Sequence, residues 1–424
     1  MASPSAPQSV SESLRATLEP LLGEPVEIEG LQRLSGGASR ETWAFTAGGR
    51  ELVLRRDPPG RPGVRGSMRL EADAMRACAR AGLAVPEVLL DDDGTRLGTP
   101  GLVMARVPGE TLARKILRDD EFAAARRTLV GDLGQFLAGL HAVDPREVPG
   151  ATEADALAQY WERYEWIDDR SPTFEKAYAW LTANRPTRSP TTLVHGDLRM
   201  GNVIVGPGGL NAAIDWELVH VGDPLEDLAW LCVKAWRFGQ PLEVGGVGTV
   251  DELVDAYEGA GGLPVDRAAF HWWLVQKTLQ WGIGCMGQAA VHLTGAVRSV
   301  ELAAIGRRVA EQEWDLIELL APDEWRRARS SPPPEVVPDT PGLHGRPTAR
   351  ELVEAVRGFL TDDVMASTSG RLAFHARVAA NALGVVGREL AEARREHTGD
   401  DWASLADAVR DRLAVANPKH LAGR

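Results

Sequence analysis

The sequence predicts an α+β chain: a strand-rich small lobe, then a mostly helical large lobe, then a helical C-terminal segment. Three observations predict it. Apolar residues alternate between turn signals up to about residue 106, and they recur at spacings of three and four from Thr111 onward. A stretch with six prolines, Arg327 to Pro347, then separates the last helices from what precedes them.

The elements follow in order. A short helix near Ser11 to Leu22 forms an N-terminal extension over residues 1–24, and the small lobe spans residues 25–106. In it, PVEIEGLQRLSGGASRETWAFTAGGRELVLRRD alternates as strands, with turns at Gly36-Gly37 and Gly48-Gly49. Helix is expected around Met68 to Ala81, then strands in VPEVLLDDD and GLVMARV. The large lobe, residues 107–326, opens with helix from Thr111 to Val143. It continues with strands around a loop from Val194 to Val205, and is nearly all helix from Asp223 to Leu320. The proline stretch reads as a semi-rigid linker, with an ordered surface strap as the alternative. Residues 348–424 read as three helices. Thr348 and Glu351 form a capping box for the first, and Leu372, His375, Val378, Ala379, Ala382, Leu383, Val386 and Leu390 make the apolar stripe of the second.

Composition narrows the function. The chain has 424 residues and a formal charge of −13, from 47 basic and 60 acidic side chains, which disfavours a general nucleic-acid binder. From Thr348 onward 11 basic residues balance 11 acidic ones, so the excess negative charge lies before the tail. Cys78, Cys232 and Cys285 lie too far apart for a CxxC site, no apolar run is long enough to span a membrane, and no secretory signal is visible. These features together predict a soluble, cytoplasmic protein.

The strongest signal is LVHGDLRMGNVIV, Leu193 to Val205, followed by AAIDWE, Ala212 to Glu217. Two apolar runs bracket a loop holding His195, Asp197 and Asn202, and a third delivers Asp215. A strand–loop–strand hairpin with one further turn brings Asp197, Asn202 and Asp215 to one end of a small sheet. Two carboxylates and an amide oxygen are hard donors that suit Mg²⁺, and a carboxylate left uncoordinated accepts a hydroxyl proton. The spacing is that of the kinase catalytic loop, H-x-D-x-x-x-x-N, with a later metal-binding aspartate.

With glycine between His195 and Asp197, and with Ile214-Asp215-Trp216-Glu217 downstream, the chain resembles the aminoglycoside phosphotransferase family of kinase-like enzymes over roughly residues 25–325. The resemblance implies a bilobal protein-kinase-like fold and transfer of the γ-phosphoryl of ATP to a small-molecule hydroxyl. It implies Asp197 as catalytic base, Asn202 and Asp215 as Mg²⁺ ligands, and His195 as a brace of the catalytic loop. Gly36, Gly37 and Ser39 would cradle the ATP phosphates. No lysine precedes Lys115, so strand alternation in ELVLRRD selects Arg55, with Arg56 as an exposed neighbour, to grip the α- and β-phosphates. Glu71 would pair with Arg55, and the strand end at Met104 and Ala105, on to Val107, would meet the adenine edge.

Other residues have plainer uses. His141 reads as a buried structural histidine and Asp223 as an anchor of the large lobe. Trp216, Trp230, Trp236, Trp272, Trp273 and Trp281 read mainly as core, some of them lining an acceptor pocket with Arg237 or Lys277. DPLEDLAWLCVKAWRFG is similar to the branch of the family that in some proteins is joined to acyl-CoA dehydrogenases, which implies a hydroxyacyl-CoA acceptor. The alternatives are an aminoglycoside or choline-type acceptor, or a catalytically inactive binding module. The tail resembles a small helical domain of unknown function found beside such phosphotransferases, expected to pack on the kinase-like part or to mediate oligomerisation.

Overall fold

The computed structural model describes residues 6–34, 40–59, 67–187, 190–332, 334–393 and 395–422. Its strands are β1 (Ile28–Arg33), β2 (Glu41–Ala47), β3 (Arg50–Arg56), β4 (Val88–Asp93), β5 (Pro100–Ala105), β6 (Thr192–Val194), β7 (Val203–Gly206), β8 (Gly209–Ala213) and β9 (His220–Gly222). The helices begin with α1 (Ala6–Leu22), α2 (Met68–Arg80), α3 (Ala113–Arg118), α4 (Ala125–His141), α5 (Ala156–Glu165) and α6 (Pro172–Ala183). They continue with α7 (Leu225–Cys232), α8 (Val250–Gly259), α9 (Arg267–Leu293), α10 (Val300–Gly306), α11 (Val309–Leu320), α12 (Pro322–Ser330) and α13 (Ala349–Gly358). The last are α14 (Met365–Ser367), α15 (Gly370–Ala391), α16 (Trp402–Ala416) and α17 (Pro418–Leu421). The chain divides into two compact units, residues 1–154 with 187–270, and residues 155–186 with 271–424.

The first unit begins with an antiparallel five-stranded sheet in the order β1-β2-β3-β5-β4. Alternation along β3 buries Leu52 and Leu54 on one face, where they meet Val10, Leu14 and Leu18 of α1, spaced at one helical turn, together with Trp43, Phe45 and Val103. The N-terminal helix is thus part of the small-lobe core. Arg56 corrects an expectation: it is buried, not exposed, and pairs with Glu41, its cross-strand partner on β2. Past the sheet, β6 pairs with β9, and β7 with β8, while α4 packs on α8 and β8.

The crossover from β5 needs glycine at Gly109. Its φ is 137°, and a Cβ there would come within 2.7 Å of the Ile204 side chain, while neighbouring Glu110 exchanges both backbone hydrogen bonds with Val205.

The second unit unites helices that the proline stretch was expected to separate. Trp314, Ile317, Trp325 and Ala328 of α11 and α12 form one core with Ala406, Val409 and Leu413 of α16. Arg327 belongs to α12, not to a linker, and pairs with Asp407 at 3.1 Å. Beyond it the chain behaves as a strap: Val337 donates to the Ala391 carbonyl, and Ala393 to that of Glu335. The Thr348–Glu351 capping box is present. The stripe expected in α15 is only partly covered. Its middle residues His375, Val378, Ala379, Ala382 and Leu383 are half-buried beside the buried Ala376 and Ala380, whereas Leu372, Val386 and Leu390 are exposed, and α10 and α13 pack on this helix.

Leu413 is fully buried in the shared core, so Leu413→Ala should cost about 2–5 kcal/mol, measured as a lowered urea midpoint for the second unit.

Candidate active site

Strand register assembles the site. Val203 pairs with Ala213 across β7 and β8, and the Ile214 N–H donates to the Asn202 carbonyl at 2.9 Å. Asn202 and Asp215 therefore emerge at the same end of the hairpin. Asp215 has φ 69°, a left-handed conformation that costs a non-glycine residue energy and turns the chain sharply after β8. Its carboxylate Oδ1 accepts a hydrogen bond from Arg55 at 2.7 Å.

Arg55 reaches it from β3 and also donates to Glu71 Oε2 at 3.3 Å. Glu71 lies in the first turn of α2 and is 1% exposed. It holds a second cation that the sequence did not single out: Arg40, itself buried, pairs with Glu71 and lies 3.4 Å from Asp57. Burial, and next the Arg55 charge, pull the Arg40 guanidinium below its ordinary pKa. Burial pushes the Asp215 carboxyl upward, but the Arg55 charge and hydrogen bond outweigh it, so Asp215 lies below the usual carboxylate range.

The loop after β6 is held from beneath. Gly196 has φ 80°, and a Cβ there would lie 2.6 Å from the Leu218 carbonyl oxygen, so only glycine fits between His195 and Asp197. Asp227, fully buried on α7, accepts the N–H groups of His195 at 2.8 Å and Gly196 at 2.9 Å. His141 stands 3.4 Å from the same carboxylate, with its other ring nitrogen 2.9 Å from the Tyr257 hydroxyl. Burial pushes that hydroxyl up to about 12, and in the tautomer assigned from these contacts, with Nε2 donating to Asp227, the hydroxyl donates to His141 Nδ1. Burial opposes the charge of Asp227, yet His141 and the two amides keep its pKa below the ordinary value. His141 is therefore buried, as expected, and is part of the support for the loop. Asp223 accepts a hydrogen bond from Leu225, and the anchor one turn further on is Asp227. The detectable signal was an acidic residue directly before the apolar run Leu228–Leu231, since a buried charge requires a partner.

His195 is fully buried and braces the loop in one tautomer. Assigned from its contacts, Nε2 donates to the Ile214 carbonyl at 3.1 Å and Nδ1 accepts from the Asp197 N–H at 3.2 Å. Asn202 Nδ2 donates to the Asp197 carbonyl at 2.8 Å and to Asp197 Oδ2 at 2.7 Å. Arg199, also unremarked in the sequence, donates from Nε to Asp197 Oδ1 at 3.2 Å.

The remaining expected residues lie apart from this cluster or outside the description. Gly36, Gly37 and Ser39 fall outside the described residues. Met104 is buried in β5, and the Ala105 N–H is committed to the Glu87 carbonyl, so Val107 is the first of the three beyond the strand. Trp236 shares the first unit with Asp197, whereas Trp273 and Lys277 belong to the second.

Comparison with known proteins gives the family of the chain. A family model described as the phosphotransferase enzyme family matches residues 30–273, more than half of the chain. The chain belongs to that family. Residues 366–406 match a domain of unknown function, DUF6285. Acyl-CoA dehydrogenase family member 10 of Mus musculus is 30% identical over 72% of this chain, and family member 11 of Gallus gallus is 27% identical over 70%. The chain spans only 31% and 42% of those two proteins. Viomycin phosphotransferase of Streptomyces vinaceus is 31% identical over 41% of this chain and 66% of its own length.

Solved structures share the kinase-like fold. A Ralstonia eutropha protein provisionally classed as an aminoglycoside phosphotransferase matches with TM-score 0.59 and 20% identity, covering 72% of this chain and 98% of that one. A thermostable mutant of APH(4)-Ia, in ternary complex with AMP-PNP and hygromycin B, matches with TM-score 0.50 and 18% identity, covering 73% and 99%. Among the described residues no helix is long and apolar enough to cross a membrane.

His195 provides a pH test. Burial pulls its pKa below the ordinary value, so the unfolded chain takes up a proton at a higher pH than the folded one. The stability this group contributes should be complete above about pH 6.5 and drain away as pH falls further. Urea midpoints from pH 8 to 5 should show that acid limb, and His195→Asn should weaken it.

Proposed function

We propose that the chain transfers the γ-phosphoryl of ATP to the hydroxyl of a small acceptor, with Asp197 as the proton-accepting base. The single observation carrying this is the continuous chain of charge Glu71–Arg55–Asp215, beside Asp197 joined to Asn202. Arg55, fixed between two carboxylates, supplies a permanent positive charge for the phosphates. The acceptor oxygen forms the new bond to phosphorus while its proton passes to Asp197. The bond from phosphorus to the β,γ-bridging oxygen breaks, and its electron pair leaves with ADP.

The donor set suits Mg²⁺. Asn202 spends its amide nitrogen on Asp197, which turns its oxygen into the available donor, and Arg55 keeps Asp215 ionised. Among the described residues no group of three or more His, Cys, Asp or Glu could hold a metal. That fits an ion which takes one or two protein ligands and fills its shell with phosphate and water oxygens. Asn202 and Asp215 would hold it, and bound there it would neutralise phosphate charge.

For the acceptor we favour a hydroxyacyl-CoA. Two observations support it. The relatives at 30% and 27% identity are acyl-CoA dehydrogenase family members. In addition, Lys234, Trp236 and Arg237 lie within five residues after α7, and the Arg199 guanidinium lies 4.7 Å from the Trp236 ring centre. Arg199 and Trp230 on the base, with Trp236 behind Arg199, suit an anionic, adenine-bearing thioester better than a polycation. The likeness to viomycin phosphotransferase favours a cationic antibiotic as the second candidate.

Asp197→Asn should lower transfer at least about 100-fold while leaving ATP-analogue binding intact, whereas Asp215→Ala should weaken binding of Mg²⁺ with ATP. Full turnover by either variant sinks the assignment. In a panel of 3-hydroxyacyl-CoAs, viomycin, aminoglycosides and choline, phosphorylation of the thioesters is expected. Transfer to the antibiotics alone would overturn the choice of acceptor.

A further inference from the structure

The Asp197 carboxylate is held by more than the catalytic loop. Its Oδ1 accepts the indole N–H of Trp230 at 2.8 Å as well as the Arg199 Nε–H at 3.2 Å, while Oδ2 accepts only from Asn202 in the protein described. Trp230 is 3% exposed and lies on α7, three residues after Asp227. Residues three apart share a helix face. One face of α7 therefore grips the loop twice, Asp227 by its backbone amides and Trp230 by its functional side chain.

The grip is itself buttressed. The Trp236 ring stands edge-on to Trp230 with centroids 5.2 Å apart, and the Arg199 guanidinium lies over Trp236. An indole nitrogen can only donate, and so can a guanidinium. Both groups on Oδ1 are thus obligate donors, and neither can take up a proton from it. A carboxylate's terminal torsion is broad and roughly two-fold, so without these donors the two oxygens could exchange places.

We propose that Trp230 is a positioning residue for phosphoryl transfer: its indole N–H, with Arg199, locks the Asp197 carboxylate so that Oδ2 receives the acceptor's proton. This rests on Asp197 being the base. A tryptophan serving only as core would contribute to stability through its ring and leave the kinetics to others.

The test uses the full chain with Mg²⁺ and ATP and reads ATP hydrolysis, with water as acceptor, so that no identified substrate is needed. Trp230→Phe keeps most of the ring surface and removes the donor. Its kcat should fall about tenfold, the loss expected for one hydrogen bond to a charged group, with KM for ATP changed less than about twofold. Trp230→His, which restores an N–H, should recover part of the rate. A Trp230→Phe enzyme at wild-type rate beside an inactive Asp197→Asn overturns the role of Trp230 and leaves the base standing. An active Asp197→Asn overturns the base itself. Should Trp230→Phe fail to fold, the indole ¹H–¹⁵N resonance of Trp230 decides: it should move in Asp197→Ala, and an unmoved resonance overturns the proposal.

Discussion

A carboxylate taken wholly out of water must be repaid in hydrogen bonds, and Asp227 is where this fold meets that requirement. It sits on α7, whose residues are all buried, and accepts the backbone amides of His195 and Gly196 with His141 beside it. Everything that gives the loop its function follows from those two amides being held. Gly196 can then take its left-handed turn against Leu218, His195 can span from the Asp197 amide to the Ile214 carbonyl, and Asp197 is presented to Asn202. Bonds to an ionised acceptor are the strong class, so the loop is fixed before any ligand arrives.

The cluster around Arg55 is built on the opposite principle, with cations arranged around shared carboxylates. Glu71 serves both Arg40 and Arg55, and Arg55 in turn reaches Asp215. Two guanidinium groups on one glutamate repel each other, and burial first, then the Arg55 charge, pull the pKa of Arg40 below its ordinary value. The arrangement holds because Asp57 and Asp215 supply further negative charge. A chain with no lysine before Lys115 thus carries the cations of this cluster on arginines, whose planar forks suit this kind of shared pairing.

Legibility differed with the kind of information each residue carried. Asp197, Asn202 and Asp215 stand at spacings fixed along the chain, and strand alternation separates Arg55 from Arg56. Arg40, Arg199, Asp227 and Trp230 carry no such spacing. Each becomes meaningful only through a partner elsewhere in the sequence: Arg40 through Glu71, Asp227 through His195, and Trp230 through Asp197. The proline stretch misled for a related reason. Its composition describes a segment that cannot form regular structure, but not whether neighbouring backbone is available to pair with it, as residues 391–393 are.

What the sequence determined alone was local: the α+β order, the helix caps at Thr348 and Glu351, the hairpin that delivers Asn202 and Asp215, and the family to which the motif belongs. Each depends on residues a few positions apart, where periodicity and turn chemistry act directly. Tertiary structure alone decided how much of the α15 stripe is covered, that α16 completes the core of α11 and α12, and that α7 supports the loop carrying Asp197. Those outcomes depend on the burial of apolar surface and the pairing of buried charge between segments distant in the chain. Their energies appear only once the distant partner is in contact.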